Sequence, residues 1–398
     1  MPIFSRDEMD RRHQAIRSRM TSAGLDAVIA TSYAGFYWLS GAPVHAYGRP
    51  IALLLPRDGE PVMIESFIER GHTQLQSWIT DLRVYWDYNP TPATDNPRPP
   101  WVSMIHHIRE AAIDRGLEQK RIGIEENSLP LGHFNLLREA LPKAKFINAS
   151  DLIDHVRLVK SPEELILMRA ADAISDHGQQ MALDLIRPGR TADRINGQIR
   201  TAMAEACFQD YPEMPFVIHA DIGLLSNFKS AGHSEWTTWG ADNRVEAGQV
   251  LETVFSAWLW GYSGNVERAI SVGEPQGRQR ELFEIMVEMN EAAITAVRPG
   301  VKASEIDALM KAMFAKHDLI TPTGTGVGRG ITSYEANARE LKLDLRLYND
   351  TVLEPGMVIS IEPHVRENDI VYRHCNSVIV TETGCEVSSK LPRGVLWV

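Results

Sequence analysis

Two glutamates in this chain stand where a charge is costly. Glu362 lies between Ile361 and Pro363, directly after Met357-Val358-Ile359, so it interrupts an apolar run. A carboxylate buried there needs partners. Glu267, in Asn265-Val266-Glu267-Arg268, reads either as half of a surface ion pair with Arg268, worth little, or as a second inward carboxylate. Two such carboxylates can clamp a planar guanidinium or amidinium through bidentate, charge-assisted hydrogen bonds. His233, in Ala231-Gly232-His233, belongs to the residue type that can take a proton from water and return it to a departing nitrogen. A histidine after a loop glycine is more often solvated or structural. The planar forks of Arg49 and Arg339 suit a carboxylate. Yet Arg49 precedes Pro50 and reads equally as a turn residue, and Arg339 beside Glu340 as a solvated charge. His374 could border the site, whereas its neighbour Cys375 reads as a packing residue before a nucleophile. Trp236, Trp239, Trp258 and Trp260 could line a pocket, but strand aromatics are more often core.

These residues need elements to hold them. Residues 5–23 predict an amphipathic helix, with Met9, His13, Ile16 and Met20 at helical spacing and Gly24 as its stop. Apolar runs at 25–31, 51–55, 61–64 and 121–125 predict strands, and 101–115 a helix. Helices alternating with apolar strands predict an α/β domain over residues 1–158. At Ser161-Pro162-Glu163-Glu164 an N-cap, a first-turn proline and a capping-box glutamate open a helix running to about residue 186. The boundary is placed just before it. Residues 159–398 predict further helices at 191–207, 277–298 and 303–317. Strands are expected at 215–219, 250–260, 266–272, 357–362 and 376–381, mostly antiparallel, hence an α+β domain. The glycine-rich run 324–330 lacks the Lys-Ser/Thr of a phosphate loop.

Composition narrows the partners. Lys and Arg total 41 against 52 Asp and Glu, a net charge of −11 with no basic block, which argues against nucleic acid and anionic membrane. An anionic substrate must then be held by particular arginines. No run approaches the roughly 18 apolar residues of a membrane span. The first residues lack the apolar core of a signal peptide. Cys207, Cys375 and Cys385 are too widely spaced for a disulfide framework or zinc knuckle. The cytoplasm is the expected compartment.

The second half resembles the pita-bread fold shared by methionine aminopeptidases, prolidases and creatinase. The resemblance rests on Gly261-Tyr262, Glu267-Arg268, Glu354-Pro355-Gly356-Met357, Ser360-Ile361-Glu362-Pro363 and Val380-Thr381-Glu382-Thr383-Gly384. With the Lys160 to Glu164 junction it extends to the two-domain members and so to the whole chain. It implies a pita-bread catalytic domain behind a smaller creatinase-type N-terminal α/β domain. Metallopeptidases of this fold hold two metal ions with two Asp, one His and two Glu. Those positions fall here at Val254, Asn265, near Thr325, Glu362 and Cys375. Only Glu362 survives as a ligand of the expected kind, and one carboxylate does not hold two hard cations. The expectation is a protein with no metal and no other cofactor.

Creatinase also lacks those ligands, and the resemblance to it implies roles. His233 would be the acid and base, although Gly232-His233-Ser234-Glu235 replaces the family's Ala-His-Asn-Pro wording. Glu267 and Glu362 would bind the guanidinium. Arg49, in Tyr47-Gly48-Arg49-Pro50, and Arg339 would bind the carboxylate. Tyr47, Tyr262 and His374 are the remaining expected substrate contacts. The family further implies a homodimer with Arg49 reaching across the interface. The expected activity is metal-independent hydrolysis of a C–N bond in a small guanidino- or amidino-carboxylic acid, such as creatine to sarcosine and urea. The alternatives are opening of an amidine ring, as in ectoine hydrolase, a metallopeptidase of the Xaa-Pro dipeptidase kind, and a non-catalytic binding protein.

Overall fold

The computed structural model describes residues 2–44, 49–86, 99–223, 244–321, 324–331, 340–368 and 370–398, with the backbone alone at 219–223 and 340–342. The chain divides into two compact units, Met1–Arg157 and Leu158–Val398.

The first unit carries helices α1 (Arg6–Ala23), α2 (Tyr33–Ser40), α3 (Arg70–Gln76), α4 (Pro100–Asp114), α5 (Leu131–Ala140) and α6 (Ser150–Arg157). Its strands are β1 (Ala27–Ala30), β2 (Ala52–Pro56), β3 (Val62–Ser66), β4 (Asp81–Tyr85), β5 (Arg121–Ile124) and β6 (Lys145–Asn148). Among the described residues they form one sheet in the order β4-β3-β2-β1-β5-β6. β1, β2 and β3 are buried throughout, which suits short continuous apolar runs covered on both faces. Gly24 ends α1 in the left-handed conformation, as the sequence predicts.

α2 was not legible as a helix. All of its residues from Gly35 to Ser40 are buried, so Tyr33-Ala34-Gly35-Phe36-Tyr37-Trp38-Leu39-Ser40 has no polar face to set a period. Its start is fixed by Glu125, whose carboxylate accepts from Thr31 N (2.6 Å), Ser32 N (2.7 Å) and Ser32 Oγ (2.7 Å). Thr31-Ser32-Tyr33 thus serves as a helix entry.

The second unit opens on α7 (Pro162–Leu185). Its capping box is formed as expected: Glu164 N donates to Ser161 Oγ at 3.2 Å and Ser161 N to Glu164 Oε2 at 2.8 Å. Then come α8 (Ala192–Asp210), β7 (Phe216–Gly223), β8 (Val250–Leu259), β9 (Tyr262–Ser271), α9 (Gly277–Ala296) and α10 (Ala303–Lys316). The remaining strands are β10 (Gly326–Gly328), β11 (Glu340–Leu345), β12 (Val358–Ile361), β13 (His364–Glu367), β14 (Ile370–Val380), β15 (Cys385–Val387) and β16 (Leu396–Trp397). The main sheet runs β11-β10-β12-β14-β9-β8-β7, with β13 and β15 on β14 and β16 on β9. All of these pairings are antiparallel except β16 with β9. The glycine-rich run 324–330 contains β10 rather than a phosphate loop. Among the described residues no helix is long and apolar enough to cross a membrane.

Two glycines fix the strands that carry the site. β8 and β9 meet through Trp260 and Gly261, with φ of 49° and 75°. Positive φ at both central residues suits a two-residue hairpin following the right-handed strand twist. Gly264 lies so close to α7 that a Cβ there would sit 2.2 Å from the Ala171 carbonyl carbon and 2.3 Å from Asp172 N. The next residue, Asn265, donates its N–H to Asp172 Oδ1 at 3.0 Å. Gly264→Ala is therefore expected to cost about 3 kcal/mol, the upper end for overpacking, because backbone must move on both sides. A urea midpoint equal to that of the parent chain would show that α7 and β9 are not in this contact.

Candidate active site

The pleat of β8, β9 and β14 sorts their side chains onto two faces. Val254 pairs with Glu267 and Ser256 with Asn265 across β8 and β9. Glu267 pairs with Cys375 across β9 and β14. Val254, Ser256, Asn265, Glu267, Arg373 and Cys375 thus share one face, and Glu362 arrives from the end of β12. One oxygen of Glu267, one of Glu362 and Cys375 Sγ lie within 4.8 Å of one another. The structure brings together the two glutamates singled out from sequence, together with the cysteine.

Glu267 is not paired with its neighbour. Arg268 points to the other face, fully buried, where its guanidinium bonds the Cys375 carbonyl and reaches Asn376 Oδ1. Glu267 instead meets Arg373: Nη1 donates to Oε2 at 2.6 Å, while Arg373 Nε lies 3.1 Å from Glu252 Oε1. Asn265 Nδ2 donates to Glu267 Oε1 at 2.7 Å and also approaches Cys375 Sγ at 3.7 Å. Asn265 is in turn held through its Oδ1, which accepts from Ser256 Oγ at 2.7 Å.

These contacts separate the two carboxylates. Burial pushes Glu267 up, but the Arg373 charge, the Asn265 amide and the Arg373 hydrogen bond outweigh it and hold its carboxyl below the usual range. Glu362 is raised, first by burial and then by the Glu267 charge; Arg373 and a 2.5 Å bond from Ser360 Oγ offset this only in part. Burial also lifts the Cys375 thiol well above its ordinary value, and both glutamates add to the shift, so it stays protonated. An ionised carboxylate beside one that keeps its proton more readily is a site poised for a cation.

Other expected residues fall elsewhere. His233, Tyr47, Arg339, Trp236 and Trp239 lie outside the described residues. Arg49 is half-buried in the first unit. Tyr262 is buried and gives its hydroxyl to Glu164 Oε1 at 2.8 Å, which ties it to the α7 cap. His374 alternates to the opposite face of β14, pairs in register with Arg268, and is held well below its ordinary pKa by burial and by the Arg268 and Arg393 charges. Of the other two tryptophans, Trp258 lies on the Val254 and Ser256 face and Trp260 in the hairpin. Sequence reading overlooked Arg373 and Glu252. A signal for Arg373 was there: a guanidinium in the strand Ile370–Val380, with apolar residues at both ends, demands anions.

Among the described residues, the donor set around Glu267 and Glu362 does not match that of a two-metal centre. Val254, opposite Glu267, offers no donor. Thr325 spends its hydroxyl on Asp307 Oδ1 at 2.7 Å. The Glu267 carboxylate already holds a guanidinium and an amide. Two hard cations need more carboxylate oxygens than Glu267 and Glu362 supply.

Comparison with known proteins places this geometry in a lineage. Residues 166–382 match metallopeptidase family M24, and residues 12–159 match the creatinase/prolidase N-terminal domain. A creatinase of a Bacillus species is 27% identical over 405 aligned positions, covering 99% of this chain and 93% of that protein. An ectoine hydrolase of Halomonas elongata is 25% identical, covering 98% and 97%. A Xaa-Pro dipeptidase of Lactobacillus helveticus is 26% identical, covering 82% of each chain. Among solved structures, a Xaa-Pro dipeptidase from Bacillus anthracis superimposes with a TM-score of 0.78 at 23% identity, covering 98% of this chain and 100% of that one. That likeness shows the fold: a creatinase-type N-terminal domain and a pita-bread catalytic domain.

Proposed function

Since the chain belongs to the hydrolytic family M24, we propose that it hydrolyses a C–N bond in a small guanidino- or amidino-carboxylic acid without a metal ion. The observation that carries this reading is the convergence of buried Glu267, half-buried Glu362 and buried Cys375 within 4.8 Å, with Val254 where a first metal-binding carboxylate would stand. A planar cation lying between the two carboxylates donates bidentate hydrogen bonds to their oxygens. Water attacks the central carbon; His233 takes its proton and delivers it to the departing nitrogen, so the C–N bond breaks as a C–O bond forms. Arg49 and Arg339 take the substrate carboxylate in this reading, with Arg49 supplied across a homodimer in the cytoplasm. The likenesses to a creatinase and to an ectoine hydrolase, each spanning nearly the whole chain, support the substrate class.

The test is a substrate panel read by mass spectrometry, with creatine, other guanidino acids, ectoine and Xaa-Pro dipeptides, each with and without a chelator. Turnover of a guanidino or amidino acid that persists in chelator is expected. Cleavage of a Xaa-Pro dipeptide that chelation abolishes would identify a metallopeptidase and end this reading.

A further inference from the structure

Arg329 follows β10 inside the glycine-rich run and plays no part in the contacts described so far. Its backbone N–H donates to the Val358 carbonyl at 2.8 Å, continuing the β10–β12 ladder by one residue. The register then fixes its direction. Val327 pairs with Ser360, and Ser360 with Ser377. Ser377 lies two residues from Cys375 on one face of β14. Arg329, two residues from Val327, projects to that same face, toward Glu267, Glu362 and Cys375.

The residue is only 4% exposed, yet its Nε and Nη2 find no hydrogen-bond partner among the described residues. Buried donors left unpaired are costly, most of all on a charged group. Its charge reaches Glu267, Glu362, Cys375 and Asp172, in each case favouring the ionised form. None of the three carboxylates is in hydrogen-bond contact with its Nε or Nη2. The positive charge of Arg373 is already taken by Glu252 and Glu267. Arg329 thus brings to this face a guanidinium whose Nε and Nη2 are unpaired among the described residues.

We propose that Arg329, in addition to the Arg49 and Arg339 assigned above, binds the anionic group of the substrate, through Nε and Nη2, in the same pocket where Glu267 and Glu362 bind the cationic group. The ligand class is therefore a compact zwitterion, its carboxylate close to its amidinium or guanidinium. The inference rests on the function proposed above for Glu267 and Glu362.

Separate probes keep the two ideas apart. Methylguanidinium reports the carboxylate clamp and acetate reports Arg329, each titrated against the full chain by calorimetry or ligand-observed NMR. Both bind the parent protein in this scheme. In Arg329→Met, acetate affinity falls about 10- to 100-fold, the scale of charged hydrogen bonds, while methylguanidinium binds as well or more tightly because a nearby positive charge is gone. Arg329→Gln, which keeps polar bulk if the methionine variant does not fold, shows the same split. Failure of methylguanidinium to bind the parent chain refutes the clamp. Methylguanidinium binding with acetate affinity unchanged in both variants refutes the role of Arg329 and leaves the clamp standing. An Arg329 that only balances the buried carboxylates gives that second result, with a shifted pH profile.

Discussion

Glu362→Gln and Glu267→Gln are expected to abolish turnover alike and to move stability in opposite directions. Each removes one half of the cation clamp, and loss of a charge-assisted, bidentate contact made to the reacting group should lower kcat/KM by about 100-fold or more. Stability separates them. Glu362 has its carboxyl raised by burial and by the Glu267 charge, so the folded state holds its ionised form at a cost. A neutral isostere removes that cost, a gain of about 1 kcal/mol, or roughly 2–4 °C in apparent melting temperature for a unit the size of Leu158–Val398. The gain has a pH window. A raised carboxyl favours folding below its ordinary range and loses that contribution as pH rises through the raised value, so the glutamine variant outperforms the parent only above this window. Glu267 is the reverse case. Arg373 and Asn265 hold it below the usual range, so its contribution is present above the unfolded-state value and disappears as pH falls through the folded one. Glu267→Gln should cost about 3 kcal/mol near neutral pH, since Arg373 loses its 2.6 Å partner and keeps its ion pair with Glu252. Thermal melts of both variants at pH 5 and pH 8 decide the matter. If both variants are destabilised equally at both pH values, the two carboxylates do not differ as described.

How much of this site could be read from sequence depends on which force places each residue. Glu362 was legible because a charge inside an apolar run is a local anomaly. The α7 start was legible because its capping box is spelled in consecutive residues. Of the two readings open for Glu267, the ion pair with Arg268 fails for a physical cause: adjacent strand residues point to opposite faces, and the partner, Arg373, is 106 residues away. Such pairing depends on register between β9 and β14, which no local pattern encodes. The same ambiguity affected His374 and Cys375, since one of them had to face the carboxylates and the other the helices; the cysteine took the site face. Arg329 was hidden by its glycines, which suggested a loop where the chain forms a short strand. α2 was invisible because complete burial removes the polar face that a helical period requires.

Arg373 carries the largest structural burden in this arrangement, and Arg373→Met should show it. Its guanidinium meets Glu267 Oε2 at 2.6 Å and Glu252 Oε1 at 3.1 Å. Glu252, Glu267 and Glu362 together push it above its ordinary value even against burial. Without it, Glu252, Glu267 and Glu362 face one another without the guanidinium that now meets Glu252 and Glu267. The expected cost near neutral pH is about 3–5 kcal/mol, the range for breaking a buried pair and leaving a charge uncompensated. The deficit should shrink on acidification, because the carboxylates of the variant then take up protons and their repulsion disappears; a variant carboxyl raised by this repulsion is stabilising only below its raised value. Arg373→Lys should recover only part of the loss, since a point charge on a flexible stem does not engage two carboxylates with the fixed fork of a guanidinium. Combining Arg373→Met with Glu252→Gln should restore stability relative to Arg373→Met alone, because one of the uncompensated charges is gone. Urea midpoints for the four proteins at pH 5 and pH 8 give the answer. A deficit that is the same at both pH values, or a double variant no better than the single one, would mean that Arg373 fills space on this face rather than neutralising it.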